Sequence, residues 1–213
     1  MLFVLPPVLP HTFFYSTPLA VLSPVTTKKS EVALTLIPQV PFYSQFTDIT
    51  SSKWKKVGCG VASLAMIVNY YKPGTVTVNR LLEQAVAAGA YDHAAGWTYS
   101  GLIGVSKKYG LSGTVHDLSV RSSSAALAEF KTALGAGPVI ASVHYKFDPK
   151  STIPHLVVIN GIKDNTLYYN DPAAKTGEKQ ISVTDFLRGW KQRFIVLRPL
   201  NTDGGAVVAI SLN

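Results

Sequence analysis

Gly58-Cys59-Gly60-Val61-Ala62-Ser63-Leu64-Ala65-Met66-Ile67-Val68-Asn69-Tyr70-Tyr71, closed by Lys72-Pro73-Gly74, is the stretch on which the fold turns. Val61, Ala62, Leu64, Ala65, Ile67, Val68 and Tyr71 spread apolar side chains over three helical turns, and Pro73-Gly74 ends the run. Ser63 and Asn69 are its few polar positions, so the helix is expected to be central and buried. Cys59, the only cysteine of the chain, stands at its start. Unpaired amides at a helix N-terminus favour negative charge, and so a thiolate. Gly58 and Gly60 permit a tight turn and a close approach by a substrate backbone. A structural cysteine belongs more naturally in mid-helix among apolar neighbours. On these features alone, a nucleophile and an inert cysteine stand level.

Upstream, Ile37 to Tyr43 reads as a short strand or extended segment edged by Pro38 and Pro41, and residues 47–58 read as a polar loop. Downstream come three more helices. Thr77 caps one that runs to about Ala88, with Leu81, Leu82 and Val86 inward and Gly89 as its stop. Thr98 caps the next, ending at Tyr109-Gly110. One of Ser122 to Ser124 opens the last, which carries Leu127, Phe130 and Leu134 and stops at Gly135 to Gly137. The pattern then turns to strands: Val139 to Phe147, Leu156 to Ile162, a turn at Asp164-Asn165, and Leu167 to Tyr169. A short helix over Thr184 to Trp190, a strand over Phe194 to Leu197 and a last strand over Ala206 to Leu212 complete the reading. Helices first and antiparallel sheet second define the α+β class, with a helical half packed on a sheet and a cleft between them. There is no internal repeat.

The chain has 213 residues, 47% of them hydrophobic and 15% charged, against roughly 25% charged in an average globular chain. Such a chain buries enough apolar surface to fold without staples. A single cysteine excludes a disulfide framework and any multi-cysteine metal site. The net charge is +8, but adjacent positive residues occur as the pairs Lys28-Lys29, Lys55-Lys56 and Lys107-Lys108, with no run of four or more and no basic stripe. The excess reflects scarce carboxylates. It speaks against nucleic acid as the partner and is compatible with electrostatic association with an anionic cell surface. Residues 1–36 read as an amino-terminal arm or a weak targeting segment. Met1 to Thr27 hold no charged side chain, yet Pro6, Pro7 and Pro10 break the apolar stretch, and neither a basic start nor an Ala-x-Ala site is present. Residues 37–199 form the main domain, and residues 200–213 an extension or final strand.

A thiolate nucleophile needs an imidazole. Of His11, His93, His116, His144 and His155, the last begins the apolar run Leu156-Val157-Val158-Ile159 and so stands at a strand start, placed at a sheet edge. His144 reads as a structural histidine inside the preceding strand, and His93 lies in a Gly/Ala-rich loop. A third group must orient the ring. Asp171 ends the strand that pairs with the His155 strand through the Asp164-Asn165 turn. Two antiparallel strands bring the start of one beside the end of the other, so His155 and Asp171 are expected to be neighbours. The alternative for Asp171-Pro172 is a plain turn cap.

These segments together resemble a family. Ile37-Pro38-Gln39-Val40-Pro41-Phe42-Tyr43-Ser44-Gln45, Cys59-Gly60-Val61-Ala62-Ser63, Pro154-His155-Leu156-Val157-Val158-Ile159-Asn160-Gly161 and Tyr169-Asn170-Asp171-Pro172 are similar to motifs of papain-like cysteine peptidases. The group is that related to the bacteriocin-leader-processing peptidases, in its stand-alone C39-like form. The resemblance covers roughly Ile37 to Leu197 and includes Phe186 and Trp190 ahead of the last core strand. It implies a papain-like fold with Cys59 as nucleophile, His155 as general base and acid, and Asp171 orienting the imidazole. It also implies that Gln45 donates to an oxyanion hole beside the Cys59 amide, although a loop must fold back to bring Gln45 near. Val61 departs from the proline usual after Cys-Gly, a position where proline favours the helix but does no chemistry.

The reaction so implied is hydrolysis of a peptide, isopeptide or amide bond through a thioester, without a cofactor or metal. Transpeptidase and amidase outcomes use the same triad, because the acceptor decides between them. A catalytically silent peptide-binding module of the same fold is the alternative outside enzymes. A metal hydrolase is disfavoured by histidine spacing. The partner is a peptide or protein substrate, and Trp97, Tyr99 and Tyr145 are candidates to line its cleft. The resemblance points to an extracellular or cell-envelope location, with the cytoplasm as the alternative. Sequence preference and oligomeric state are not legible.

Overall fold

The computed structural model of the protein describes Met1 and residues 37–200. The readings placed on residues 2–36 and on the strand over Ala206 to Leu212 lie outside the described residues. Residues 37–44 are unpaired chain and form no strand. The loop expected over 47–58 contains a one-turn helix, α1 (Ser52–Lys55). It is held by tertiary contact: the Trp54 ring packs edge-on against Tyr91, 5.0 Å between centroids.

Helix α2 (Cys59–Tyr71) is buried continuously from Gly60 to Asn69. Its polar positions are paid in hydrogen bonds. Asn69 Nδ2 donates to the carbonyls of Ala65 and Val76, and Ser63 Oγ donates to the Leu156 carbonyl. Helix α3 (Val78–Ala87) starts at Thr77, whose hydroxyl accepts from the Arg80 amide. Val78, Leu81, Leu82 and Ala85 make its buried stripe, and Val86, expected inward, falls beside that stripe and is 41% exposed. A hairpin of two short strands follows, β1 (Tyr91–Asp92) and β2 (Gly96–Trp97), and was not expected. Helix α4 (Tyr99–Ser106), capped by Thr98, runs into a 3-10 turn (Lys107–Tyr109) that stops at Gly110 with φ 68°.

Strand β3 (Leu111–Asp117) is a second unexpected element, then α5 (Ser123–Gly135) with Ser122 as its cap, then β4 (Val139–His144). Strand β4 ends three residues sooner than expected because Tyr145–Phe147 turn in a 3-10 helix. Strands β5 (Pro154–Lys163) and β6 (Thr166–Asn170) join through Asp164 and Asn165, both in the left-handed region at φ 48° and 61°, as a tight hairpin demands. Strand β7 (Lys179–Ser182), helix α6 (Val183–Gly189) and strand β8 (Trp190–Pro199) close the described chain.

The six longer strands form one antiparallel sheet in the order β3-β8-β4-β5-β6-β7. Strand β5 is therefore interior, and His155 begins a central strand, not an edge as expected. The α+β class and the Cys-bearing helix on the sheet are as expected, but the molecule has helices on both faces. Ile140, Leu156, Val158 and Ile195 join α2, α3 and α4 in one core. Val139, Ala141, Val157 and Ile159 join Phe130 of α5 and Phe186 of α6 in a second. Neighbouring residues of β4 and β5 thus point into different cores, which is why both strands read as unbroken apolar runs.

Candidate active site

Cys59 opens α2 at the floor of a cleft of about 500 Å³. The two flanking glycines are required by packing, not by turn geometry. A Cβ on Gly60 would stand 2.6 Å from Cγ of Trp97, and one on Gly58 would stand 2.2 Å from Ile49 and 3.3 Å from Cβ of Gln45. The room expected for a substrate backbone is taken by the protein's own side chains. Trp97 is fixed there by its indole N–H, which donates to the Val57 carbonyl at 2.6 Å.

His155 is buried at the start of β5, opposite Val143 of β4. Its Nε2 lies 2.6 Å from Oδ1 of Asp171, which follows directly on β6. The neighbourhood inferred from the β5–β6 pairing is therefore present. Oδ1 of Asp171 also accepts from the Ala173 amide at 2.8 Å, so the carboxylate is held from two sides. With Nε2 engaged, Nδ1 is the ring nitrogen left for Cys59, which lines the same cleft as His155. The contact Ser63–Leu156 pins α2 to β5 next to this pair.

Electrostatics follow from the arrangement. Burial works against a charged imidazole, but the hydrogen bonds and charges of Asp171 and Cys59 outweigh it and raise His155 to about 9. Burial likewise pushes Asp171 up, and the hydrogen bond and charge of His155, with the Ala173 amide and Lys179, hold it below its ordinary value. The pair is suited to stay imidazolium and carboxylate through neutral pH. The Tyr145 ring meets the imidazole edge-on at 5.4 Å and covers it, a contact the sequence did not reveal.

Gln45 reaches the site although α1 intervenes. Its backbone amide donates to the Pro172 carbonyl at 2.8 Å, and its Nε2 donates to the Lys55 carbonyl at 2.8 Å, leaving one N–H of the amide free. The side chain lines the same cleft as Cys59 and His155. Asn170, quoted in the sequence only as part of a motif, is the strut of this corner. It is fully buried, donates to the Val40 carbonyl and accepts from the Glu178 amide. Trp97, Tyr99 and Tyr145 line the cleft as expected, and so do His93, Phe46 and Ile153. His144 is structural, its Nδ1 2.8 Å from the Ser151 carbonyl. Among the described residues no group of three or more His, Cys, Asp or Glu could hold a metal ion.

Comparison with known proteins gives the same picture. The model of the Peptidase_C39 like family matches residues 37–195. The pediocin PA-1 transport/processing ATP-binding protein of Pediococcus acidilactici is 30% identical over 142 residues, 66% of this chain. The chain spans only 17% of that relative's length. Among solved structures, a double glycine motif protease from an AMS/PCAT transporter, in complex with its leader peptide, superposes with a TM-score of 0.55. It is 22% identical, over 78% of this chain and 96% of that one. A C39-like peptidase from Bacillus anthracis superposes with a TM-score of 0.54 at 21% identity, over 75% and 94% of the two chains. The match of the family model spans all four sequence motifs, and the chain belongs to the Peptidase_C39 like family, within the papain-like superfamily.

Proposed function

We propose that the protein is a cysteine peptidase in which Cys59, His155 and Asp171 act together and Gln45 assists. The Cys59 thiolate adds to a peptide carbonyl carbon, and the carbonyl oxygen takes the negative charge. That oxyanion accepts hydrogen bonds from the free N–H of Gln45 and from the Cys59 amide. The His155 imidazolium gives its proton to the leaving nitrogen, the C–N bond breaks, and a thioester remains. His155, now neutral, takes a proton from water as the water attacks the thioester, and the thiolate leaves. Asp171 holds the ring and its charge throughout. Removal of one oxyanion donor typically costs about 10²- to 10³-fold in turnover.

One observation carries this reading: His155, hydrogen-bonded to Asp171 at 2.6 Å through Nε2, lines the same cleft as Cys59 and has Nδ1 left for the thiol. The peptide as partner is supported by the leader peptide in the complex of the similar double glycine motif protease. Its double-glycine preference is not part of the proposal.

The test is covalent labelling with a thiol-directed peptidase inhibitor between about pH 6 and 8, read by intact mass. Wild type is expected to label stoichiometrically and fast at Cys59, and H155A to label far more slowly while keeping its fold. Equal slow labelling of both proteins would sink the reading and favour a silent peptide-binding module.

A further inference from the structure

Among the described residues no Asp or Glu lines the cleft, and Lys56 is the one Lys or Arg that does. The carboxylates nearest along the chain are engaged elsewhere. Asp171 serves His155 and the Ala173 amide, Asp92 accepts from the amides of Ala94 and Ala95, and Asp48 accepts from the Ser44 amide and the Thr47 hydroxyl. Lys56 is exposed and has no carboxylate partner among the described residues. Lys53 and Lys55, on the α1 turn just before it, add to the same field.

The root of Lys56 is nevertheless fixed. The carbonyl before it, of Lys55, accepts from Gln45 Nε2, and the carbonyl of the next residue, Val57, accepts from the Trp97 indole. Lys56 therefore projects from backbone tied on one side to the proposed oxyanion donor and on the other to the cleft wall. It lies three residues before Cys59. An exposed ammonium there, with no ion-pair partner among the described residues, attracts an anion brought by the substrate.

Resting on the peptidase reading, we propose that Lys56 is a specificity-determining residue, and that the cleft favours peptides bearing a carboxylate near the scissile bond over their neutral isosteres. The carboxylate is that of an Asp or Glu side chain or of a free chain terminus, and the two are chemically alike at the ammonium. An exposed ion pair of this kind is worth about a two- to fivefold preference, larger at low salt because attraction also speeds encounter.

The test is a set of fluorogenic peptides in which each position flanking the scissile bond is Glu, Gln or Lys, each made with a free and an amidated carboxyl terminus. Turnover (kcat/KM) is compared for wild type, K56Q and K56E at low and high salt. Wild type is expected to prefer Glu over Gln at one or two positions by about two- to fivefold, and Lys least. K56Q should level the preference and K56E should reverse it, with unchanged melting temperatures because Lys56 has no internal partner. A preference that vanishes on amidation keeps the inference and assigns the carboxylate to the chain terminus. A Glu/Gln ratio of one in wild type, or a ratio that K56E leaves unmoved, overturns it. Binding of the same peptides to C59A is measured in parallel. If wild type cleaves nothing, the peptidase reading fails, and equal affinity of C59A for Glu and Gln peptides then overturns the charge inference separately.

Discussion

At the scale of single residues, the site rests on how His155 keeps its proton. The hydrogen bonds and charges of Asp171 and Cys59 overcome burial and raise its pKa to about 9, from an ordinary 6.5. The sign of the linkage is fixed by that direction. Stability contributed by His155 is complete below pH 6.5 and is lost as pH rises through about 9. D171N keeps an oxygen to accept from Nε2 and from the Ala173 amide, but removes the charge. The alkaline limb of kcat is therefore expected to move to lower pH in D171N, and the alkaline decline in unfolding free energy to begin earlier. Urea titrations and rate profiles from about pH 6 to 10 read both. A D171N profile superimposable on wild type would mean that Asp171 only shapes the loop. The places of Cys59 and His155 in the fold were open to a reader of the sequence, because each stands at the first residue or two of a strongly apolar run. Tyr145 could be read as a residue of the cleft, but its contact with the imidazole could not, because that depends on the Tyr145–Phe147 turn, where Lys146 and Phe147 both adopt φ 57°.

At the scale of elements, legibility followed the burial pattern. Helix α2 and strands β4 and β5 announce themselves because nearly every residue is buried. Strand β3 does not: of its seven residues only Leu111 is buried, and Gly113, Thr114 and His116 carry no alternation. It is a strand because β8, some eighty positions later, supplies the pairing from Leu111–Pro199 to Asp117–Arg193. The β1–β2 hairpin is hidden in the same way. Its tip is Gly/Ala-rich, and its anchor is Trp97 pressed on Gly60. That anchor gives a prediction. In G60A the new methyl would fall 2.6 to 2.8 Å from three atoms of Trp97, whose ring is already fastened to Val57. The indole must shift, at a cost of about 1–3 kcal/mol for an overpacked site. Urea unfolding should show that loss and tryptophan fluorescence a changed environment, with slower Cys59 labelling. Unchanged stability and fluorescence would show that the hairpin yields freely.

At the scale of the described body, the sheet between two cores explains what the order of elements concealed. Helices first and strands second suggested two halves, yet α5 and α6 cover the face that α2, α3 and α4 do not. No local pattern states which face a helix will take; only the alternation within β4 and β5 does so, and it is invisible when both faces are apolar. The arrangement also divides the cleft into unlike walls. One wall begins at His155, on a strand whose Val157, Val158 and Ile159 are wholly buried between the two cores. The other is a two-stranded ladder of four residues, β1–β2, paired to no other strand among the described residues. Native-state hydrogen exchange should therefore separate them. Amides of Val157 to Ile159 are expected to exchange only by global unfolding, with the urea dependence of the whole molecule. The hairpin amides should exchange by local opening, with a shallow urea dependence and a lower free energy. A covalent peptide inhibitor on Cys59 should slow the hairpin selectively, because a bound chain would lie against Tyr91 and Trp97. Equal protection of both walls in the free protein would mean that the cleft is rigid on both sides, and that selectivity is set by its fixed shape and charge rather than by closure around the peptide.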